Sequence, residues 1–525
     1  HLFYTWRMYN EGNKRVRKEG RIKMSRRTSL IVALVASLAL LLFVSANLFS
    51  TFFNSGDNRV TTIDTDSSST GNLSGMGHMM GGEQSVVLDE SGQPMTALQL
   101  PELLEPDSES ASEITYTVTA QAGETAFLEG KTTQTLGYNG SYLGPVLVVR
   151  EGQEVHIKTE NQLAEATSFH WHGVKLPSDM DGGPHHPVGP NETMQVDFTV
   201  NQEAATLWFH PHALGTTAEQ VYAGLAGLIF VEDDNSDQLD LPKDYGVNDF
   251  PLIIQDRTFD ADNQFDYAGT YNPDGTYGDT LLINGTINPY VEVTNELVRL
   301  RLVNGSNARN YTFGLENAAV FHQIASDGGF LEQPVALTSV TLTPGERAEI
   351  IVDLSEYAEG DTAKLMDGDV TVLSLNVTEE TEVQTTLPET LNEIPELTTE
   401  GAAVQQFTLS GMSFMVNING NQFDMDRIDV EQSLNETVIW EVRNAQDMMG
   451  SMVHPFHIHG VQFQVLSRDG VEPPQNEQGW KDTIAVYPGE TVRLAVTFSE
   501  KGVFMYHCHI LEHEDNGMMG QVSVQ

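Results

Sequence analysis

The chain has 525 residues, with 27 Lys and Arg against 74 Asp and Glu, which gives a formal net charge of −47. A surface this acidic repels the phosphate backbone of nucleic acids and excludes them as partners. The single cysteine excludes an internal disulfide, so a hydrophobic core must stabilise the folded state, and the chain is long enough to form one.

Residues 1–23 do not have the character of a protein segment. The chain begins with His1, and Met24 stands where a signal peptide should begin. Lys18-Glu19-Gly20 could be encoded by a purine-rich ribosome-binding site at a suitable distance before Met24. We therefore interpret residues 1–23 as a translated leader.

Residues 24–46 predict a signal peptide. Two arginines precede an apolar stretch from Leu30 to Phe43, and Val44-Ser45-Ala46 provides small residues for cleavage. Apolar residues continue to Phe53, so a retained membrane anchor is the alternative interpretation. Either interpretation predicts an extracytoplasmic protein that is secreted, bound to the cell surface or periplasmic.

Residues 47–94 are rich in Ser, Gly and Asp, which predicts a disordered linker. Within this linker lies Met76-Gly77-His78-Met79-Met80. Soft thioether ligands of this kind could bind Cu(I). The alternative is a flexible tail that contains methionines by chance.

From residue 95 onward, short stretches rich in Val, Ile and Thr alternate with Gly, Pro and Asn, which predicts an all-β fold. Two strand openings recur three times. They are Gly152-Gln153-Glu154-Val155, Asn295-Glu296-Leu297-Val298 and Asn435-Glu436-Thr437-Val438, and later in each copy Pro190-Asn191-Glu192-Thr193, Pro344-Gly345-Glu346-Arg347 and Pro488-Gly489-Glu490-Thr491. This spacing predicts three Greek-key β-sandwich domains, over residues 95–235, 245–385 and 400–525.

Four His-x-His pairs use eight of the sixteen histidines. They are His170 and His172, His210 and His212, His457 and His459, and His507 and His509. On an extended segment the two imidazoles of such a pair face one side, so both can bind neighbouring metals. Two pairs belong to the first predicted domain and two to the third, which predicts a cluster between those domains and leaves the second as a spacer.

Cys508 lies between the histidines of the last pair. Side chains alternate along a strand, so Cys508 should point away from His507 and His509. With His454, His513 and Met518 it completes the ligand set of a blue-copper site. A structural cysteine or a zinc site is the alternative, but zinc is satisfied by four ligands and this chain offers many more.

These motifs resemble those of the multicopper oxidases, a family that includes laccases, bilirubin oxidases and bacterial copper efflux oxidases. The resemblance extends from about Leu98 to the C-terminus, and the last hundred residues are most similar to the copper efflux oxidases. It implies cupredoxin-like domains, four copper ions, and one-electron oxidation of Cu(I) or phenols coupled to reduction of dioxygen to water. The implied ligands are His454, Cys508, His513 and Met518 for type 1 copper, His170 and His457 for type 2, and His172, His210, His212, His459, His507 and His509 for the type 3 pair.

The resemblance also implies roles for several other residues. Asp181 and Glu514 match acids that deliver protons to the cluster, and the alternatives are a turn-forming Asp and a surface Glu. Asp447, Met448 and Met452 lie just before His454, where copper efflux oxidases bind Cu(I). Asp447 is displaced by about three residues from the family pattern, and methionines in a β protein can instead fill the core.

Other functions of this donor set would be a copper nitrite reductase or a non-catalytic copper-binding, electron-transfer protein of the cell envelope. Proteins of either kind would lack part of the ligand set, whereas this sequence contains every ligand of the set. We therefore expect an enzyme whose partners are dioxygen and a small reductant. We expect it to be a monomer, tethered to a membrane only if its N-terminal apolar segment is retained.

Overall fold

A computed structural model of the chain describes residues 94–381, 386–446 and 452–525. The predicted leader, the signal peptide and the linker up to residue 93 lie outside these ranges, and so does the methionine group at residues 76–80. Within the described ranges, no helix is long and apolar enough to cross a membrane.

The first ten strands lie between residues 96 and 232. They are β1 (Thr96–Ala97), β2 (Ser108–Glu109), β3 (Glu113–Thr125), β4 (Thr133–Tyr138), β5 (Val146–Arg150), β6 (Glu154–Asn161), β7 (His170–His172), β8 (Thr193–Thr199), β9 (Ala205–His210) and β10 (Gly227–Glu232), with helices α1 (Thr217–Ala223) and α2 (Asp234–Gln238). One sheet has the order β2-β3-β6-β8 with β4 beside β3, and the other has the order β5-β10-β9-β7. Apolar side chains from both sheets form one core, so the two sheets are a sandwich.

The second sandwich follows the same plan. Its strands are β11 (Asp249–Arg257), β12 (Thr280–Ile283), β13 (Pro289–Thr294), β14 (Leu297–Asn304), β15 (Tyr311–Leu315), β16 (Phe321–Ser326), β17 (Gly329–Leu337), β18 (Ser339–Leu342), β19 (Arg347–Asp353), β20 (Thr362–Asp367) and β21 (Val370–Glu379), with helix α3 (Tyr267–Thr270) and a 3₁₀ turn at Glu316–Ala318. The sheets have the orders β12-β11-β14-β19-β16-β17 and β1-β13-β21-β20-β15-β18. Strand β1 lies in the predicted first domain by sequence, but it pairs in parallel with β13 and extends a sheet of the second sandwich.

The third sandwich ends the chain. Its strands are β22 (Val404–Ser410), β23 (Asn417–Ile418), β24 (Val430–Gln432), β25 (Val438–Asn444), β26 (His454–Ile458), β27 (Gln464–Arg468), β28 (Thr483–Val486), β29 (Thr491–Val496), β30 (Gly502–Cys508) and β31 (Met519–Val524), with helix α4 (Leu511–Asp515) and 3₁₀ turns at Ser413–Met415 and Gln475–Glu477. The sheets have the orders β23-β22-β25-β29-β27 and β24-β31-β30-β26-β28. Three sandwiches of this kind confirm the predicted all-β fold.

The sheets place the histidine-bearing strands next to one another. In the first sandwich, the edge strand β7 pairs with β9 and sets His170 opposite His210. In the third, β26 pairs with β30 and sets His457 opposite His507. Helix α4, which follows β30, meets α1 of the first sandwich, where Asp515 accepts hydrogen bonds from the backbone N–H of Thr217 and Ala218. These contacts hold the first and third sandwiches together at the histidines.

Candidate metal centres

All twelve donors predicted from the sequence are described and buried. They are His170, His172, His210, His212, His454, His457, His459, His507, Cys508, His509, His513 and Met518, and none is more than 3 % exposed. Strand alternation divides them into two groups. Cys508 is adjacent to His507 on β30, and His454 precedes His457 by three residues on β26, so in each strand one donor faces each site.

His454, Cys508 and His513 form the first group, which we call the mononuclear set together with Met518. Sγ of Cys508 lies 3.4 Å from Nδ1 of His454 and 3.6 Å from Nδ1 of His513. The loop after α4 brings Met518 back to this point, where the Cys508 N–H donates to the Met518 carbonyl across 3.0 Å. Burial raises the pKa of the Cys508 thiol, so a thiolate here needs a bound cation.

The other eight histidines converge on one buried volume, which we call the histidine cluster. Nε2 of His170 faces Nε2 of His457 across 3.4 Å. Nε2 of His507 lies 3.2 Å from Nε2 of His212 and 3.1 Å from Nε2 of His459. A third subset includes His172 and His210, whose Nδ1 and Nε2 are 3.4 Å apart, and His509, whose ring lies 5.0 Å from that of His172.

Hydrogen bonds outside the cluster fix which ring nitrogen faces inward. In five histidines Nδ1–H donates to a carbonyl or carboxylate oxygen, so Nε2 carries the free lone pair. They are His170 to Asp181 O, His210 to Pro211 O, His457 to Asp482 O, His459 to Asp181 Oδ2 and His507 to Cys508 O. His172 is reversed: its Nε2 donates to Asp482 Oδ1 across 2.9 Å, and its Nδ1 faces the cluster.

These donors fit bound copper. Burial lowers the pKa of seven of the cluster histidines, which keeps their imidazoles neutral and able to bind metal. They are His172, His210, His212, His457, His459, His507 and His509. When the free nitrogens of neutral imidazoles face one another, their lone pairs repel, and a cation bound between them turns this repulsion into attraction. Neither ring nitrogen of the buried His509 has a hydrogen-bond partner among the described residues. A Cys, two His and a Met suit blue copper, and imidazoles suit further copper ions.

The cluster joins the first and third sandwiches. The ring of His170 stacks on that of His459 at 3.8 Å, and the ring of His172 stacks on that of His457 at 3.7 Å. Each of these pairs contains one histidine from the first sandwich and one from the third. The second sandwich, which the sequence suggested is only a spacer, also reaches the cluster, because Arg347 forms a bidentate ion pair with Asp482.

The two predicted proton-delivering acids both contact the cluster. Asp181 accepts the Nδ1 hydrogen of His459 across 2.7 Å. Burial raises the pKa of Asp181, but the neighbouring His459 and His170 outweigh it and hold that pKa below its usual range. Glu514 lies 3.3 Å from Nδ1 of both His212 and His507, and burial raises its pKa. One acid is therefore held as a carboxylate and the other favours the protonated form.

The predicted substrate residues are only partly described. Asp447 and Met448 fall in the segment 447–451, outside the described residues. Met452 is half-buried and packs against the core of the third sandwich, and its carbonyl accepts a hydrogen bond from the Asn444 side chain.

Sequence reasoning missed two features beside the metal centres. Asp482 was given no role from the sequence, and Arg347 stands where the matching repeats have Thr193 and Thr491. A charged residue at a buried strand position was the available signal. The other is Asp274, whose Oδ1 lies 3.9 Å from Nε2 of His513.

The comparisons with known proteins identify the family. Models of multicopper oxidase domains match residues 119–236, 249–362 and 394–525. "Multicopper oxidase mco" of Staphylococcus haemolyticus is 44% identical over 435 residues, which are 83% of this chain and 94% of that protein. The chain belongs to the multicopper oxidase family.

Solved multicopper oxidase structures share the fold as well. The crystal structure of a laccase from Pediococcus acidilactici is 46% identical, with a TM-score of 0.81 over 83% of this chain and 95% of that one. McoA multicopper oxidase from Aquifex aeolicus is 36% identical, with a TM-score of 0.75 over 82% of this chain and 100% of that one.

A relative with a different name is also similar in sequence. "Cell division protein FtsP" of Xenorhabdus nematophila is 35% identical over 474 residues, which are 86% of this chain and 97% of that protein.

Proposed function

We propose that this multicopper oxidase is an exported enzyme that takes single electrons from Cu(I) or a phenol and reduces dioxygen to water. The proposal rests mainly on the connection between the two candidate metal centres. Cys508 contacts His454 and His513 in the mononuclear set, while His507, the preceding residue, lies in the histidine cluster. One covalent segment therefore joins a one-electron entry site to the site where dioxygen would be reduced.

The assignment of ligands follows the subsets of facing nitrogens. His454, Cys508, His513 and Met518 would hold type 1 copper, and His170 and His457 would hold type 2. The type 3 pair would be held by His172, His210 and His509 on one side and by His212, His459 and His507 on the other. Copper supplies the redox chemistry, because each ion changes between its cuprous and cupric states by one electron.

The chain's own residues supply the proton chemistry and the orientation. Asp181 holds His459 through its carboxylate and His170 through its carbonyl. Glu514, buried beside His212 and His507, has the raised pKa of a group that can carry a proton to the cluster. Water formation consumes protons inside a buried site, and both of these acids contact histidines of the cluster.

A groove of about 620 Å³ beside the mononuclear set supports an organic electron donor. It lies on the loop between β11 and β12, and its lining includes Tyr271, Asp274 and Tyr277. The carboxylate of Asp274 borders the groove on one side and His513 on the other. A donor with an O–H or N–H group could hydrogen-bond to this carboxylate close to the type 1 site.

A non-catalytic role in the cell envelope is the alternative function. The observation that favours it is the similarity to a cell division protein. The complete donor set argues against it, since a structural role does not need twelve buried donors. Metal analysis of the copper-loaded protein, with oxygen consumption in the presence of Cu(I) or a bulky phenol, tests the proposal. Four copper ions and turnover would support it, whereas one or two copper ions, zinc, or no turnover would contradict it.

A further inference from the structure

We propose that the second domain, through Arg347 and Asp482, sets which ring nitrogen His172 presents to the histidine cluster. This inference rests on the proposed copper function and concerns a domain that contributes none of the candidate ligands. Arg347 and Asp482 are positioning residues, since neither would bind copper.

His172 is the exception among the cluster histidines whose hydrogen bonds are defined. Five others donate from Nδ1 and present Nε2, whereas His172 donates from Nε2 and presents Nδ1 toward His210. A neutral imidazole carries one ring hydrogen, so the acceptor that takes it decides which nitrogen is free. For His172 that acceptor is the carboxylate of Asp482, with the Thr483 hydroxyl 3.1 Å from the same nitrogen.

The orientation of Asp482 is fixed in turn by Arg347. The two terminal nitrogens of the guanidinium each donate to one carboxylate oxygen across 2.6 Å, which is the strong bidentate geometry. Gln462 adds a hydrogen bond of 2.9 Å to Oδ2. Oδ1 is thereby held toward His172, and both carboxylate oxygens are fully engaged.

Arg347 itself has no freedom to turn away. All five of its N–H groups have acceptors. They are Thr206 O for Nε, Gly345 O and Asp482 Oδ1 for Nη1, and Asp327 O and Asp482 Oδ2 for Nη2. Three of these acceptors belong to the rigid backbone, two of them in the second sandwich and one in the first. The guanidinium therefore acts as a fixed extension of the second domain into the interface between the other two.

Two glycines make room for this arrangement. Gly173, directly after His172, has φ +87°, and a Cβ there would lie 2.6 Å from Asp482 Oδ2 and 2.8 Å from Arg347 Nη2. Gly345, also at φ +87°, would place a Cβ 2.9 Å from the ring of His509. Both positions favour glycine by conformation and by space. The second domain thus approaches two histidines of one type 3 subset, His172 and His509.

The decisive variant is Asp482→Asn, and Asp249→Asn is its matched control. Asp249 is also buried and forms a bidentate pair, with Nε and Nη2 of Arg301 at 2.8 and 2.6 Å, but it contacts no candidate ligand. An amide at residue 482 offers a donor where two acceptor oxygens are needed. We expect Asp482→Asn to disturb the type 3 pair, while Asp249→Asn lowers only stability.

Electron paramagnetic resonance of the copper-loaded full-length protein gives the first readout. A magnetically coupled cupric pair gives no signal, so two of four copper ions should be detected in the wild type and in Asp249→Asn. In Asp482→Asn we expect either more detected copper than two ions or loss of type 3 copper, with the blue absorption of the Cys508 site unchanged. A spectrum and copper content like those of Asp249→Asn would overturn the inference.

Nitrogen-15 spectra of histidine-labelled, copper-free protein give a readout that does not depend on copper. We expect His172 to be an Nε2–H tautomer in the wild type and in Asp249→Asn but not in Asp482→Asn, and an Nε2–H signal of His172 that survives in Asp482→Asn would contradict the inference. If the wild type bound fewer than four copper ions, the proposed function would fail and this measurement would still decide the inference. If Asp482→Asn does not fold, Arg347→Lys replaces it: the charge stays, the bidentate pair is lost, and an unchanged resonance spectrum would overturn the inference.

Discussion

His459 donates its Nδ1 hydrogen to the carboxylate of Asp181 across 2.7 Å and thereby joins a histidine of the third sandwich to an acid of the first. The carbonyl of Asp181 accepts a second hydrogen bond, of 3.0 Å, from Nδ1 of His170. One residue therefore orients two cluster histidines, one through its carboxylate and the other through its carbonyl.

Replacing Asp181 by Asn should slow dioxygen reduction by about 100-fold, the lower end of what a positioned proton-transfer group contributes. The amide oxygen can still accept from His459, so copper content should stay near that of the wild type. Oxygen consumption under saturating reductant measures the effect, and anaerobic reduction of the blue site serves as the control. An unchanged rate of oxygen consumption would mean that Asp181 only shapes its turn.

Cys508→Ser should abolish the blue absorption and turnover together. The thiolate is the donor responsible for that colour, and the same residue connects the two metal centres along β30. Because the histidine cluster does not use the sulfur, the other copper ions should remain. Metal analysis beside the visible spectrum checks this. A variant that stays blue would show that the mononuclear set is assigned wrongly.

Met518→Leu should raise the potential of the type 1 site and keep its blue colour. The side chain is fully buried beside Cys508, and an axial thioether binds weakly while tuning the potential. Leu is close in volume, so packing should change little. Redox titration of the blue absorption measures the shift, and a colourless variant would show that Met518 is structurally required.

The copper-free protein should lose stability in acid. Burial lowers the pKa of His459 from 6.5 to about 4, and it lowers the pKa of its cluster neighbours such as His212 and His457 as well. Between pH 6.5 and pH 4 these histidines take up protons in the unfolded chain but not in the folded one. The free energy of unfolding is therefore highest above pH 6.5 and decreases as the pH falls toward 4. Each such histidine contributes at most about 1.4 kcal/mol per pH unit. Denaturant unfolding at several pH values measures the slope, and a flat profile between pH 6.5 and 4 would contradict it.

The candidate ligands could be grouped from the sequence because their grouping depends on local geometry. His-x-His spacing and the alternation around Cys508 are properties of single strands, and the structure places these donors accordingly. The contacts between distant residues could not be predicted in this way. Arg347 and Asp482 are 135 residues apart and come from different sandwiches, and no local pattern predicts that such residues meet.

The same distinction applies to the fold. Alternating residues predicted the strands and the recurring strand openings predicted three sandwiches, because each sheet buries one face within its own repeat. Strand β1 instead pairs with β13, nearly 200 residues later in the chain. Two residues carry too little pattern to specify a partner. The groove beside Asp274 depends likewise on how one long loop packs against α4, where Tyr267 donates a hydrogen bond to Glu512.

The choice between Cu(I) and phenol as the electron donor can be tested with one variant in the methionines that precede His454 in sequence and one in the groove beside Asp274. Met448 and Met452 precede His454, and thioether sulfur selects Cu(I). The groove lies instead beside His513, and none of its lining residues is a methionine. Tyr271 forms part of its wall and is 41% exposed, so Tyr271→Ala should change the groove and leave the core intact.

We expect the double variant Met448→Leu and Met452→Leu to reduce cuprous oxidation well below its effect on phenol oxidation, with the blue site unchanged. The acidic surface should concentrate cations near these methionines, so the wild type should lose cuprous activity as salt is added. Tyr271→Ala should show the opposite preference, because a bulky phenol loses a contact that Cu(I) does not need. Steady-state rates with both donors measure this. Equal losses on both donors in the methionine variant would mean that these residues only pack near His454, and no loss on either would assign the enzyme to phenols that enter through the groove.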